Sequence, residues 1–147
     1  MPASGVINLV DANVWLALSF SDHLHHTVAK NWFDAEANGT CAFCRVTEMA
    51  LLRHLTNAKI MGKFVKNQRE AWSVYDSLTQ DPRVLFLLEP SSLQTAFREF
   101  SNSTSPSHSN WTDAYLAAFA KTAQSQVVTF DRGFSRFPGL GLMILGS

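Results

Sequence analysis

Short apolar runs alternate with helical periodicities along the whole chain. Residues 6–10 (VINLV) follow Gly5, are closed by Asp11 and predict a buried strand. Residues 14–20 then read as a helix with Asn13 as its N-cap. Residues 23–36 place Val28, Trp32 and Phe33 at helical spacing, and Asn38-Gly39 ends that helix. Residues 40–44 form a second strand. Residues 46–55 form a helix with Val46, Met49, Leu52 and Leu55 on one stripe. A helix over 67–78 carries Ala71, Trp72, Tyr75 and Leu78, and 84–88 is a third strand. Residues 91–100 are amphipathic through Leu93, Ala96, Phe97 and Phe100, and the serine-rich stretch 101–110 (SNSTSPSHSN) is a loop. An alanine-rich helix over 112–122 leads to strands at 126–130 and 142–145. There is no internal repeat. Strands alternating with helices predict an α/β protein whose five-stranded, mainly parallel sheet is covered on both faces. The length of 147 residues suits one domain, 1–147.

Composition narrows the class. Apolar residues make up 46% and charged residues 16%, a globular balance, and the formal net charge is zero. With no global positive field, any contact with nucleic acid must come from a local basic patch. The start of the chain has no basic segment ahead of an apolar one, and no apolar run approaches the ~20 residues that span a bilayer. The expectation is a soluble, cytoplasmic protein with no membrane partner. Cys41 and Cys44 form a CxxC without a second pair. On a strand, positions three apart face opposite ways, so two buried small residues are expected rather than a zinc site.

Four of the twelve acidic residues stand where solvation does not explain them. Asp11 and Asp131 each follow an apolar strand directly, at the carboxyl edge where parallel sheets bind ligands. Glu48 falls in the first turn of the helix after the second strand, and Leu52 and Leu55, four and seven residues on, place it on the core-facing stripe. Asp113 opens the alanine-rich helix, with Ala117 and Ala120 below it, small enough for close approach to the sheet. Taken singly, each acid reads as a turn residue or a helix cap. Together they converge on one edge. Crowded carboxylates repel, and protonation or a divalent cation must offset that cost. All-oxygen donors favour magnesium or manganese over zinc.

The segments VDANVW (10–15), VTEMALLRHLT (46–56), WTDAYLAAFA (111–120) and VTFDRGF (128–134), in this order and spacing, resemble the PIN-domain family and, within it, the VapC-type toxins of bacterial toxin–antitoxin pairs. The resemblance runs from Val6 to about Leu145. It implies a three-layer α/β/α sandwich and an acidic quartet, Asp11, Glu48, Asp113 and Asp131. That quartet would bind one or two Mg2+ or Mn2+ ions and cleave RNA to a 5′-phosphate and a 3′-hydroxyl. It further implies supporting roles for Asn13, orienting Asp11, and Thr129, bonding near Asp131. A plain N-cap remains an equal reading of Asn13. The turn at Gln124–Gln126, where relatives often carry glycine, and the serine content of 101–110 depart from the family pattern.

In the mechanism these residues suggest, a metal-activated water attacks phosphorus in line, with no histidine, serine or cysteine nucleophile. The substrate surface is sought in residues 53–69, which hold Arg53, Lys59, Lys63, Lys66 and Arg69 and no acid. Arg132 and Arg136 lie beside Asp131. Taken one by one, Lys59, Lys63 and Lys66 read as solvated helix positions. Phe64 and Trp72 are candidates for base stacking, with core packing the better reading of Trp72. His23, His25 and His26 cluster without a partner acid, so they read as a helix-surface group. The family also implies a cognate antitoxin, docking along the first helices and 53–69, and a homodimer. Trp15, Trp32, Phe33 and Phe64 are candidates for those interfaces, although core is the better reading for most. Two rivals stay open. One is a phosphoryl-transfer enzyme with strand-end acids, disfavoured because Asn13 stands where a second aspartate is wanted. The other is a PIN-like module that only binds RNA or protein, disfavoured by the intact quartet.

Overall fold

Five parallel strands lie side by side: β1 (Ile7–Val10), β2 (Thr40–Phe43), β3 (Val84–Phe86), β4 (Gln126–Thr129) and β5 (Leu142–Ile144), in the order β3-β2-β1-β4-β5. The computed structural model describes residues 6–37 and 40–146. Val10 sits opposite Val128 in β4, and Leu9 opposite Ala42 in β2. Leu9, Val10, Cys41, Ala42, Phe43, Val127 and Val128 are all buried. Strands covered on both faces are apolar at successive positions, which is why Leu9-Val10 and Val127-Val128 do not alternate, with Asn8 and Thr129 as buried polar exceptions.

Helices α1 (Ala12–Ser19), α2 (His26–Asn31), α3 (Arg45–Leu55), α4 (Ala58–Met61) and α5 (Gln68–Thr79) supply one core. There Val10, Trp15, Trp32, Phe43, Leu51 and Val128 meet. Helices α6 (Leu93–Ser101) and α7 (Asn110–Thr122) supply the other, around Leu9, Leu116, Phe119, Val127 and Phe134. Neighbours Leu9 and Val10, like Val127 and Val128, therefore enter opposite cores, and the molecule has the three layers expected. Trp15 and Trp32 are core residues, and Phe33 and Phe64 pack against the same core. Cys41 belongs to the first core and Cys44 to the second. Both thiols are free, and burial pushes both up, Cys41 to about 11. No helix among the described residues is long and apolar enough to cross a membrane.

Several local expectations are corrected. The cap of α1 is Asp11, whose carboxylate accepts from the Ala12 N–H at 2.8 Å, so Asn13 lies inside the first turn. α2 starts at His26 instead of 23, because the His23 N–H bonds to the Phe20 carbonyl (2.9 Å) and closes a turn there. It continues as a widened π-helical turn, Trp32–Glu36, and the Asn38-Gly39 stop lies outside the described residues. The buried face of α3 is Thr47, Glu48, Leu51 and Leu55, while Met49 is 50% exposed. An apolar count cannot see that phase, because two of the buried positions are polar. Thr47 accepts the Cys44 N–H at 2.9 Å, which satisfies its hydroxyl. Trp72 is 46% exposed and only edges against Tyr75. α4 and a 3₁₀ turn (Gly62–Phe64) occupy a stretch with no periodic signal, and Gly62 takes φ 56° there.

Phe43 stacks on Trp15 with ring centroids 4.0 Å apart and meets Tyr75 at 4.8 Å. Phe43→Ala is expected to cost about 3–5 kcal/mol in urea unfolding. Trp72→Ala should stay within roughly 1 kcal/mol of the parent protein. Equal losses would contradict this assignment of core and surface.

Candidate active site

Chain order reverses between β1 and β4: from β1 the chain moves to β2 on one side, and β4 lies on the other. Such a switch point opens a crevice beyond the carboxyl ends of the strands. Asp11 and Asp131 stand at the two ends that border it. The Asp11 N–H donates to the Val128 carbonyl at 2.9 Å, extending the ladder past β1. Thr129, fully buried, ties the two ends together. Its hydroxyl donates to Asp11 Oδ2 (2.8 Å) and accepts from the Asp131 N–H (3.0 Å) and from Asn13 Nδ2 (3.4 Å). One proton and two lone pairs are all a threonine hydroxyl offers, and each is engaged.

The remaining acids arrive on helices. Asp113 occupies the first turn of α7, and Arg136 Nη2 lies 3.4 Å from its Oδ2. The same guanidinium binds the Asn110 side-chain oxygen and donates to the Gly133 carbonyl at 2.5 Å. Asp131 Oδ1 accepts the Gly133 N–H (2.8 Å) and caps the 3₁₀ helix Arg132–Arg136. Glu48 is 5% exposed; Arg45 Nη1 contacts it at 2.6 Å, and the Tyr75 hydroxyl from α5 donates to it.

Burial pushes the Asp11 carboxyl from its ordinary 3.8 to about 6. The charges of Asp113 and Asp131 push the same way, while the Thr129 and Ala12 hydrogen bonds pull it down. Asp113 is raised by burial and by Asp131, against the pull of Arg136. Three of the four acids thus act on one another across the crevice. Glu48 is not among the charges acting on Asp11 or Asp113; its partners are Arg45 and Tyr75.

The donor set suits a hard divalent cation. It is all oxygen, it holds carboxylates whose ionisation the site itself disfavours, and the Asn13 Oδ1 beside Thr129 is buried without a hydrogen-bond partner. Among the described residues no three acidic, histidine or cysteine side chains converge tightly enough to surround an ion as they stand. Asp113 faces Arg136, Asp131 faces Gly133 and Glu48 faces Arg45.

Elsewhere the picture is mixed. Arg53, Lys59, Lys63 and Arg69 are exposed and Lys66 is half-buried. Among the described residues no ion pair joins any of them to the acids. Arg132 is exposed as well. His25 lies against Phe130 with ring centroids 4.9 Å apart, next to Asp131, and His23 is pulled down by burial and by its two histidine neighbours. Sequence reasoning missed Arg45, Tyr75 and Asn110. Arg45 was within reach, three residues before Glu48 on one helix. Asn110 and Tyr75 carry no such signal.

The PIN domain profile matches residues 9–140, and the chain belongs to the PIN-domain family. Within it, the chain is 40% identical over 142 residues to Ribonuclease VapC41 of Mycobacterium tuberculosis, covering 93% of this chain and 97% of that protein. The fold is similar to that of VapBC-1 from nontypeable Haemophilus influenzae (TM-score 0.68, 16% identity, 95% of this chain and 98% of that one). It is also similar to VapC20 of Mycobacterium tuberculosis, a sarcin–ricin loop cleaving toxin (TM-score 0.65, 17% identity, 91% and 95%).

The Asp11 carboxyl holds its proton more tightly in the folded chain than in the unfolded one, so ionisation between 3.8 and about 6 weakens the fold as pH rises. In chelator above about pH 7, Asp11→Asn is expected to be the more stable protein, by up to about 2–3 kcal/mol. The gap should close below about pH 3, where both folded and unfolded carboxyls are protonated. Thermal melts across pH test this; a variant that melts lower than the parent at neutral pH would refute the burial cost assigned to Asp11.

Proposed function

We propose that residues 1–147 form one PIN domain acting as an endoribonuclease toxin of the VapC type. It hydrolyses RNA phosphodiesters with Mg2+ or Mn2+, as one or two ions, at the edge built by Asp11, Asp113 and Asp131. The observation that carries this reading is the mutual electrostatic coupling of those three carboxylates at the β1/β4 switch point, two of them with raised pKa. Its supports are the membership in the PIN family and the relationship to proteins named ribonuclease. Glu48 completes the quartet, buried one helical turn into α3 and able to join when Arg45 moves. A bound ion would supply Lewis-acid charge at the phosphate and an activated water.

The protein's own residues have distinct tasks. Asp11, Asp113 and Asp131 hold the cation, with Glu48 alongside. Thr129 fixes the carboxylate plane of Asp11 and, through the Asp131 N–H, the distance between the two strand ends. Asn13 steadies Thr129 from α1. Arg136, already at Asp113, is placed to meet a phosphate oxygen once the cation takes that carboxylate over. In the cell the reading implies a cytoplasmic toxin, held by a cognate antitoxin and assembling as a homodimer, with Arg53, Lys59, Lys63, Lys66, Arg69 and Arg132 as outlying phosphate contacts.

Chelator is expected to abolish cleavage of single-stranded RNA, and added Mg2+ or Mn2+ to restore it. Asp113→Asn should lower kcat by about a hundredfold or more, since metal charge stabilisation is worth several kcal/mol. Cleavage that persists in excess chelator would end the metal reading. Thr129→Val keeps the volume but removes the hydroxyl. It should weaken Mn2+ binding by about 10–100-fold in calorimetric titration, as loss of a partner behind a metal ligand does. Unchanged Mn2+ affinity would show that the Thr129 bonds do not shape the site.

A further inference from the structure

Three shallow cavities run together beside the acids. The innermost, about 540 Å³, lies between Asn110, Arg136, Phe137 and the hydroxyls of Ser103, Ser105 and Ser107. A second, about 320 Å³, shares those serines and Asn110 and reaches Trp111. A third, about 620 Å³, continues from Trp111 past Phe97 and Arg98. The three form one track over the serine-rich loop, beginning at the guanidinium that holds Asp113 and ending on an aromatic ring. Trp111 is 57% exposed, two residues from Asp113 on the first turn of α7, and Phe97 props it edge-on at 6.3 Å. Loop geometry presents the hydroxyls outward. The Ser105 N–H and the Ser103 hydroxyl bond one another's residues, and among the described residues the Ser105 and Ser107 hydroxyls make no hydrogen bond.

We propose that this track binds the single-stranded RNA flanking the scissile phosphate, with Trp111 as the platform on which one base stacks. The proposal rests on the ribonuclease reading and adds where the substrate lies. The chemistry favours RNA over a peptide. The lining offers two guanidiniums for phosphates, small hydroxyls and an amide for base edges, and one upturned ring for a base face. Phe97, Phe100, Phe137 and Trp111 also line the track, but Arg98, Asn110, Arg136 and the serine hydroxyls interrupt them, where an amphipathic helix would want an unbroken apolar stripe. Glu99, the acid on the inner wall, is neutralised by Lys121 at 3.6 Å. Continuity with the acids is direct, because Arg136 lines the inner cavity and contacts Asp113. The cations of residues 53–69 have no such link.

The test uses the whole chain in chelator, so that nothing is cleaved, and a single-stranded RNA of about twelve nucleotides carrying 2-aminopurine at each position in turn. The parent protein should quench the probe at one position. Trp111→Ala should abolish that quench and weaken binding about tenfold, with Trp111→Phe restoring most of it. Ser107→Glu, an exposed loop change that leaves the fold alone, should weaken binding severalfold by repelling phosphate. Wild-type affinity in Trp111→Ala, or in Ser107→Glu, overturns the proposal. So does a Trp111→Ala protein that binds RNA normally but fails to bind its antitoxin, which would assign the face to a protein partner. A parent protein that shows the positional quench yet cleaves no RNA with any divalent ion would sink the ribonuclease reading and leave the track standing.

Discussion

Parallel pairing of β1 with β4 is the constraint on which this molecule turns. The two strands are far apart in the chain, yet their register sets Val10 against Val128, so both run out at the same level of the sheet. The residues at those two ends are thereby forced together. A carboxylate stands directly after β1, and a threonine closes β4 with a carboxylate two positions on. Backbone hydrogen bonds alone could bring the ends side by side, but they would not orient the side chains. The Thr129 hydroxyl does that, because its three bonds reach Asp11, Asn13 and Asp131 simultaneously. The helices complete the edge. α7 packs its alanine face close against the sheet, where Ala114, Ala117, Ala118 and Ala120 are buried, and so delivers Asp113 to the crevice.

Carboxylates drawn out of water need partners, and two arginines supply them to Glu48 and Asp113 from different distances in the chain. Arg45 serves Glu48 from within the same helix turn, and Arg136 serves Asp113 from a 3₁₀ helix 23 residues later. A guanidinium is a poor substitute for a doubly charged ion, since it brings one charge spread over a plane. It nonetheless gives Glu48 and Asp113 each a charged partner within the protein. The arrangement explains how a chain of zero net charge can keep an acidic edge ready without a strongly positive surface around it.

Much of this was legible from the residue pattern. The strand runs could be read because strands buried on both faces are mostly apolar at successive positions, and the strand-end positions of Asp11 and Asp131 came with them. Adjacency of β1 and β4 could not be read, since it is a long-range pairing. Glu48 was read as facing the core and does, but the stripe drawn through Met49 was misphased, because the polar Thr47 takes an inward position that hydrophobic counting passes over. The turn after α1 was missed because His23, His25 and His26 are compatible with helix, and only the Phe20 carbonyl decides otherwise. Trp72 looked like core and is half in water, whereas Trp111, unremarked by pattern, is the more exposed ring. Side-chain partners chosen across the fold, such as Arg136 for Asp113, leave no periodic trace.

The two cysteines carry a consequence of a different kind. Cys41 and Cys44 are three residues apart, but the sheet stands between them, each thiol in its own core and each held protonated by burial. A thiol in that condition is a poor nucleophile towards peroxide or a disulfide, and the pair cannot close on itself. The two thiols therefore cannot act as a disulfide switch while the sheet is intact. An oxidant would reach either thiol only after its core had opened, so their modification would report unfolding and not a change in cellular redox state.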